Sequence, residues 1–366
     1  MDKSYDIVVV GGGAAGLSGA LALARSRRSV LVADAGDPRN APAGQVHNFL
    51  TRDGTPPAEI YAAGRAEVTR YGGQVCDARV TALSRDGGRF RVEIGGRAAT
   101  ARRLLVATGL RDELPGVPGL AAQWGNDVVH CPYCHGWEVR DKRIGVLATG
   151  PMAMHQVLLF RQLSPHVTLL RHTGPALTGE EPGHLAALGV AVVEGVVEEI
   201  EAVADRLIAA RLAGGHRVPL DVVAVAPRFM ARAELLAPLG LTPVEIRAGG
   251  YLIGTRIEAD ATGATAVPGV WVAGNLTDPQ AQVVTAAAAG LAAGAAINFD
   301  LASEDADRAV GSYPRSASAA RPRALRWTPA AAAPGLPGVL FSSRRMAPKE
   351  RCPPPRTASR MRPAVR

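Results

Sequence analysis

Between positions 130 and 138 the chain reads His-Cys-Pro-Tyr-Cys-His-Gly-Trp-Glu. Two cysteines separated by two residues, Cys131 and Cys134, can close a strained disulfide and reopen to a dithiol, the chemistry of a redox relay. The same spacing also serves as half of a zinc site or as a structural pair. A four-thiolate zinc site needs a second matching pair, and the remaining cysteines, Cys76 and Cys352, stand alone. No metal is expected. His135, directly after the pair, can take a proton from one thiol and return it, because an imidazole titrates near working pH. His130, directly before it, either helps hold a thiolate at Cys131 or is structural.

A second chemistry lies near the N-terminus, where an apolar run enters Gly-Gly-Gly-Ala-Ala-Gly. Gly11 allows a tight turn, Gly13 lets the backbone approach a pyrophosphate, and Gly16 lets the following helix pack closely on the strand. The helix N-terminus supplies amide donors to the phosphates. Asp34 follows Gly16 by 18 residues and ends the next apolar run, which suits a ribose hydroxyl. A glycine loop and a redox cysteine pair in one chain point to electrons passing between sulfur and a flavin, although the loop alone does not separate FAD from NAD.

These residues need elements to position them. Residues 6–10 read as a buried parallel strand, 14–24 as an alanine-rich helix and 29–33 as a second strand, a βαβ unit. Residues 78–106 alternate apolar and polar positions around Gly87-Gly88 and Gly95-Gly96 and predict a small antiparallel meander, with a further strand at 104–109. A second βαβ pattern starts at Arg143, with strands at 144–147 and 167–170 around a helix at 152–163. Gly214-Gly215 marks a hairpin before a strand at 222–226. A strand at 269–274 and a long small-residue helix from Val283 follow. The order is one nucleotide-binding domain, interrupted by a second, then resumed.

Bulk composition sets the frame. A chain of 366 residues can build two domains with real cores, and 47% hydrophobic content with 4% aromatics predicts cores of Val, Leu, Ile and Ala. Net charge is +8, but residues 311–366 hold 12 basic residues against one acid, Glu350, so residues 1–310 carry −3. The basicity belongs to the tail, which also has ten prolines and is expected to be disordered. The folded part therefore carries no nucleic-acid signature. Asp2, Lys3 and Asp6 do not read as a signal peptide, the apolar run at 283–297 reads as a packing helix rather than a membrane span, and few cysteines suit a reducing cytoplasm.

From Tyr5 to about Val310 the sequence resembles the low-molecular-weight thioredoxin reductase family of flavoproteins. The carrying segments are VVVGGGAAGLSGA (8–20), HNF (47–49), LLVATG (104–109), CPYCHG (131–136) and GVWVAGNLTDPQAQVVTAA (269–287). The resemblance implies an α/β fold of two Rossmann-like, three-layer ββα nucleotide-binding domains. An FAD domain (1–112 and 243–310) is split by an NAD(P)H-like domain (113–242) that carries the cysteines. It implies FAD held by Gly11, Gly13, Ala14, Ala15, Gly16, Asp34, Asn48 and Gly109, and by Gly274, Asn275, Gln282 and Val283. Cys134 is then expected beside the flavin and Cys131 to exchange with substrate, in a homodimer.

Four departures shape the expected activity. Asn275 stands where the family has an aspartate. The second dinucleotide loop reads Ala148-Thr149-Gly150-Pro151-Met152-Ala153, without its first glycine and with a proline that removes an amide donor. The basic cluster for a 2′-phosphate is thinned to Arg171-His172-Thr173. NAD(P)H is therefore a doubtful partner. His135 replaces the acid that thioredoxin reductases place after the pair, and CPYCHGWE resembles the branch of gliotoxin-type and holomycin-type dithiol oxidases. The expectation is oxidation of a small-molecule dithiol, with electrons passed through FAD to oxygen. The alternatives are an NAD(P)H-dependent reductase of a thioredoxin-like protein and a flavin-binding sensor with a vestigial cysteine pair.

Overall fold

A computed structural model describes residues 3–313, and nearly all of the basic tail expected at 311–366, with Cys352, lies outside the described residues. The chain opens with β1 (Lys3–Val10), α1 (Ala14–Arg25) and β2 (Val30–Asp34), then α2 (Pro57–Arg70), β3 (Gln74–Asp77), β4 (Val80–Asp86), β5 (Arg89–Ile94) and β6 (Arg97–Val106). Next come β7 (Leu110–Glu113), β8 (Val128–Val129), α3 (Pro132–His135), β9 (Ile144–Leu147), α4 (Met152–Arg161), β10 (Val167–Leu170), α5 (Glu181–Ala187) and β11 (Ala191–Val193). Strands β12 (Val197–Val203), β13 (Arg206–Leu212), β14 (Arg217–Pro219), β15 (Val222–Val225), β16 (Arg228–Ala231), β17 (Val244–Ala248), β18 (Tyr251–Arg256) and β19 (Val270–Val272) precede α6 (Val283–Ser312).

The first sheet runs β3-β2-β1-β6-β5-β4, with β19 also on β6. Ile7, Val8, Val9 and Val10 are all buried, as expected of a parallel strand covered on both faces. The meander predicted at 78–106 and the further strand predicted at 104–109 share one continuous strand, β6. Its first half pairs antiparallel with β5 (Phe90 opposite Ala101) and its second half parallel with β19 (Leu104 opposite Val270). The change of neighbour is possible because the hairpin turns at Gly87-Gly88 and Gly95-Gly96, all at positive φ, end β5 short of the far end of β6. Val10, Val106 and Val272 stand level, so β1, β6 and β19 end together and leave a crevice at the carboxyl edge of the sheet.

A second sheet, β11-β10-β9-β15-β8, is parallel throughout. Strands β12-β13-β14 form an antiparallel sheet beside it, and a four-stranded sheet, β17-β18-β16-β7, joins residues 110–113 to residues 228–256. The arrangement is a mixed α/β fold with two Rossmann-type sheets.

α6 passes the length and composition test for a membrane span, yet its small face is packed. A methyl on Gly290 would come 1.9 Å from the Ala15 carbonyl oxygen, and one on Gly294 would come 2.7 Å from that of Gly19. The predicted helix at 283–297 continues to Ser312, held by acids near its end: Asp300 and Glu304 meet Arg103, while Glu304 and Asp305 meet Arg102.

Candidate active site

The crevice opens into a cavity of about 1530 Å³ that reaches from the first glycine loop past the cysteine pair to the second. Gly11, Gly13, Ala14, Ala15 and Asp34 line it from β1, α1 and β2. A Cβ on Gly11, at φ +105°, would sit 2.4 Å from the Ala107 carbonyl oxygen, whereas the space around Gly13 is open. Gly16 does not face the cavity. Its missing side chain lets α1 close on the loop, since a Cβ there would lie 1.9 Å from the Gly11 carbonyl oxygen. Asp34 accepts from Arg65 on α2 and from the Gly36 amide.

Gly109, Gly274, Asn275, Gln282 and Val283 face the same cavity. Asn275 donates its amide to the carbonyls of Asp278 (3.0 Å), Ala281 (2.9 Å) and Pro279 (3.4 Å). An aspartate could make none of these bonds, so the replacement secures the loop entering α6. Asn48 stands apart from the other expected FAD residues. It does not line the cavity; its side chain donates to the Tyr133 carbonyl (2.7 Å) and so braces the cysteine turn. A local φ of +58° at Asn48 aims the amide that way.

Cys131 precedes α3, and Cys134 lies within it. Their sulfurs are 2.7 Å apart. The Cys134 thiol hydrogen bond, joined by the Cys134 and Tyr133 amides and the charge of Arg39, outweighs burial and lowers the Cys131 pKa to about 7. The same bond and burial push Cys134 strongly up. His135 lines the cavity beside them with both ring nitrogens buried and without a hydrogen-bond partner. Burial lowers its pKa, and His47 adds to this against the opposing charge of Glu138. His130 packs edge-on against Phe229, with ring centroids 5.1 Å apart. Burial first, then the charge of Arg39, lower it to about 4. It is neutral at working pH and lends no charge to a thiolate.

Ala148 is buried, its methyl accommodated where Gly174 has no side chain, and Pro151 precedes α4 without an N–H to offer. Tyr251 lies over Gly150, 3.7 Å from where its Cβ would be. The His172 ring accepts the Val197 amide (3.1 Å), while Arg171 faces Glu194 at 3.9 Å. His172 is thus engaged by the backbone, while the buried Nε of Arg171 has no hydrogen-bond partner.

Sequence reasoning missed Arg39, Asn40 and Phe229, all at the cavity. Asn40 accepts from the Tyr61 hydroxyl (2.8 Å), and its buried amide nitrogen has no partner. The Asp-Pro-Arg-Asn run just after Asp34 was the available signal, since a polar run following the second strand of a βαβ unit faces its ligand.

A model of the pyridine nucleotide-disulphide oxidoreductase family matches residues 5–290, and the chain belongs to that family. "Thioredoxin reductase tcpT" of Claviceps purpurea is 36% identical over 255 residues, 64% of this chain and 77% of its own. "Thioredoxin reductase sirT" of Leptosphaeria maculans is 29% identical over 82% of this chain and 95% of its own. The crystal structure of HlmI superposes with a TM-score of 0.77 at 44% identity, covering 86% of this chain and 96% of that one. The protein is thus a thioredoxin reductase-like oxidoreductase acting on sulfur, and FAD is the cofactor of its family. The cradle fits that group: a glycine loop opposite Asp34, a second glycine turn at Gly274, and an unpartnered Asn40 amide between them.

Proposed function

We propose that the protein is a dithiol oxidase that closes a disulfide in a small molecule. The observation that carries this reading is the buried, partnerless imidazole of His135 beside a cysteine pair in which Cys131 is the more readily ionised member. A substrate thiol gives its proton to His135 and its sulfur attacks Cys131, breaking the Cys131–Cys134 bond. Cys134, with its raised pKa, leaves as a thiol by taking that proton from His135. His135, neutral again, takes the proton of the second substrate thiol, whose sulfur attacks the one bound to Cys131; the substrate disulfide forms and Cys131 departs as a thiolate. A low leaving-group pKa speeds this last step. Bound FAD supplies the two-electron acceptor that restores the cysteine disulfide and delivers the electrons to oxygen.

The residues that would hold FAD are Gly11, Gly13, Ala14, Ala15, Asp34, Asn40, Gly109, Gly274, Asn275, Gln282 and Val283. We assign the FAD domain to 1–112 and 243–310 and the scaffold carrying the cysteines to 113–242. The second loop's missing first glycine and its proline without an N–H, together with the engagement of the His172 ring by the Val197 amide, favour dithiol over NAD(P)H as electron donor. A reducing cytoplasm, where a CxxC cycles catalytically, suits this role. The exposed apolar residues Val284, Leu291 and Phe299 along α6 support a homodimer. The relatives' name, thioredoxin reductase, favours a second reading in which NAD(P)H reduces a thioredoxin-like protein. An anaerobic titration decides: a small dithiol bleaches the flavin quickly and NADPH slowly, with recovery in air. Rapid bleaching by micromolar NADPH would overturn the oxidase. A flavin sensor would show no turnover with either.

A further inference from the structure

Arg39 lies in the loop between β2 and α2 and reaches across the cavity. Its Nε and Nη2 donate to the two carboxylate oxygens of Asp112 on β7, at 2.8 and 2.7 Å. Nη1 donates to the Pro279 carbonyl ahead of α6 at 3.3 Å. The Asp112 side chain is 9% exposed and that of Arg39 27%, so the carboxylate is sheltered while the guanidinium borders the cavity. The guanidinium carbon sits 5.2 Å from the ring centre of Phe229, the residue opposite Asp112 on β16. The other contact of that ring is His130, the residue before Cys131. One fixed cation therefore joins the first nucleotide loop, the β7–β16 pair, the approach to α6 and the cysteine segment.

We propose that Arg39 is a positioning residue for the cysteine pair, held by Asp112 and seated on Phe229 so that a permanent positive charge steadies the thiolate of Cys131. The proposal rests on thiol–disulfide chemistry at this site but on neither direction of flux. The charge of Arg39 favours the thiolate at both cysteines, though less than the hydrogen bond between them does at Cys131, and at His130 the Asp112 carboxylate opposes it. Around the pair, burial favours neutral His130 and His135, and His155 faces them from α4. Glu138 and His47 lie beyond His135 and contact each other at 3.4 Å. Two other cavity arginines have acidic partners of their own, Arg228 with Glu113 and Arg232 with Asp37.

The test is the pH profile of iodoacetamide alkylation of the reduced, flavin-loaded protein under anaerobic conditions. Fragment-ion mass spectrometry separates label on Cys131 from label on Cys134. Arg39→Met should raise the Cys131 midpoint, cutting the thiolate fraction at pH 7 by roughly three- to tenfold, as expected for losing a nearby opposite charge. Arg39→Lys should fall between the two. Asp112→Asn should lower the midpoint, because it removes the anion and leaves the cation. A purely mechanical strap would instead make Asp112→Asn resemble Arg39→Met. Coincident profiles for Arg39→Met and the parent, or a midpoint not lowered in Asp112→Asn, would overturn the proposal. If Arg39→Met fails to fold, as shown by flavin content and melting, Asp112→Asn decides alone. Failure here leaves the donor question untouched, since the titration with dithiol and NADPH answers that separately.

Discussion

Two histidines flank one cysteine pair and are packed differently. His130 is wedged against Phe229 and lowered to about 4 by burial and then by Arg39, whereas His135 keeps both ring nitrogens free of partners. His135→Ala should therefore slow dithiol oxidation by about 10²–10⁴-fold, the usual range for losing a general base, with flavin content unchanged. Because burial lowers the His135 pKa, the neutral base persists below the ordinary histidine value of roughly 6.5 and is lost only at more acid pH. The acid limb of the pH–rate profile should lie there and vanish in His135→Ala; near-normal turnover in that variant would make the histidine structural. At the other end of the cavity, Asn275→Asp would set a carboxylate against three carbonyls. It should cost about 1–3 kcal/mol, the penalty for unpaired buried polar groups. A lower melting temperature and weaker flavin retention would show it.

At the scale of elements, the seam between α1 and α6 connects stability to the cofactor cradle. Ala15 both receives Gly290 and lines the cavity, so Gly290→Ala must move α6 or the glycine loop. Overpacking of this kind costs about 1–3 kcal/mol, and flavin should dissociate more readily from the variant; unchanged melting and flavin content would contradict the seam. The far half of α6 is fastened by charge. Hydrogen bonds from Arg28 and then Arg102 lower Asp305 to about 2. A carboxyl depressed in the folded state contributes stability that is present above its unfolded value, near 3.9, and is lost as pH falls toward 2. Hydrogen exchange along 300–312 should therefore accelerate between roughly pH 4 and 2, and Asp305→Asn should remove much of that pH dependence.

Across the whole molecule, one cavity reaches both glycine loops, but they differ as phosphate cradles. The second keeps its strand–loop–helix form while Ala148 stands in place of its first glycine and Pro151 offers no amide at the start of α4. The titration with dithiol and NADPH reads which of the two similar sheets serves as the route for electrons. The outer face of α6 poses the assembly question. Phe299→Glu should convert a dimer to monomers in sedimentation velocity without loss of flavin, and an unchanged sedimentation coefficient would remove α6 from the interface.

Elements encoded locally were legible in the sequence. The apolar run of β1, the paired glycines of the β4–β6 meander and the Cys-Pro-Tyr-Cys turn each carry their conformation in neighbouring residues, because strand period and turn sterics act over a few positions. The extent of β6 was not legible, since its partner changes from β5 to β19, more than 170 residues along the chain. The sheet pairing β7 with β16 was missed for the same reason. Site residues divide likewise. Gly11, Asp34, Cys131 and Cys134 announce themselves by spacing, because their chemistry needs those intervals. That Asn48 turns to the Tyr133 carbonyl, that Arg39 crosses to Asp112, and that the His135 ring is buried with both nitrogens unpartnered follow from contacts between distant segments. Burial and partner choice are properties of the packed chain, and only the tertiary structure sets them.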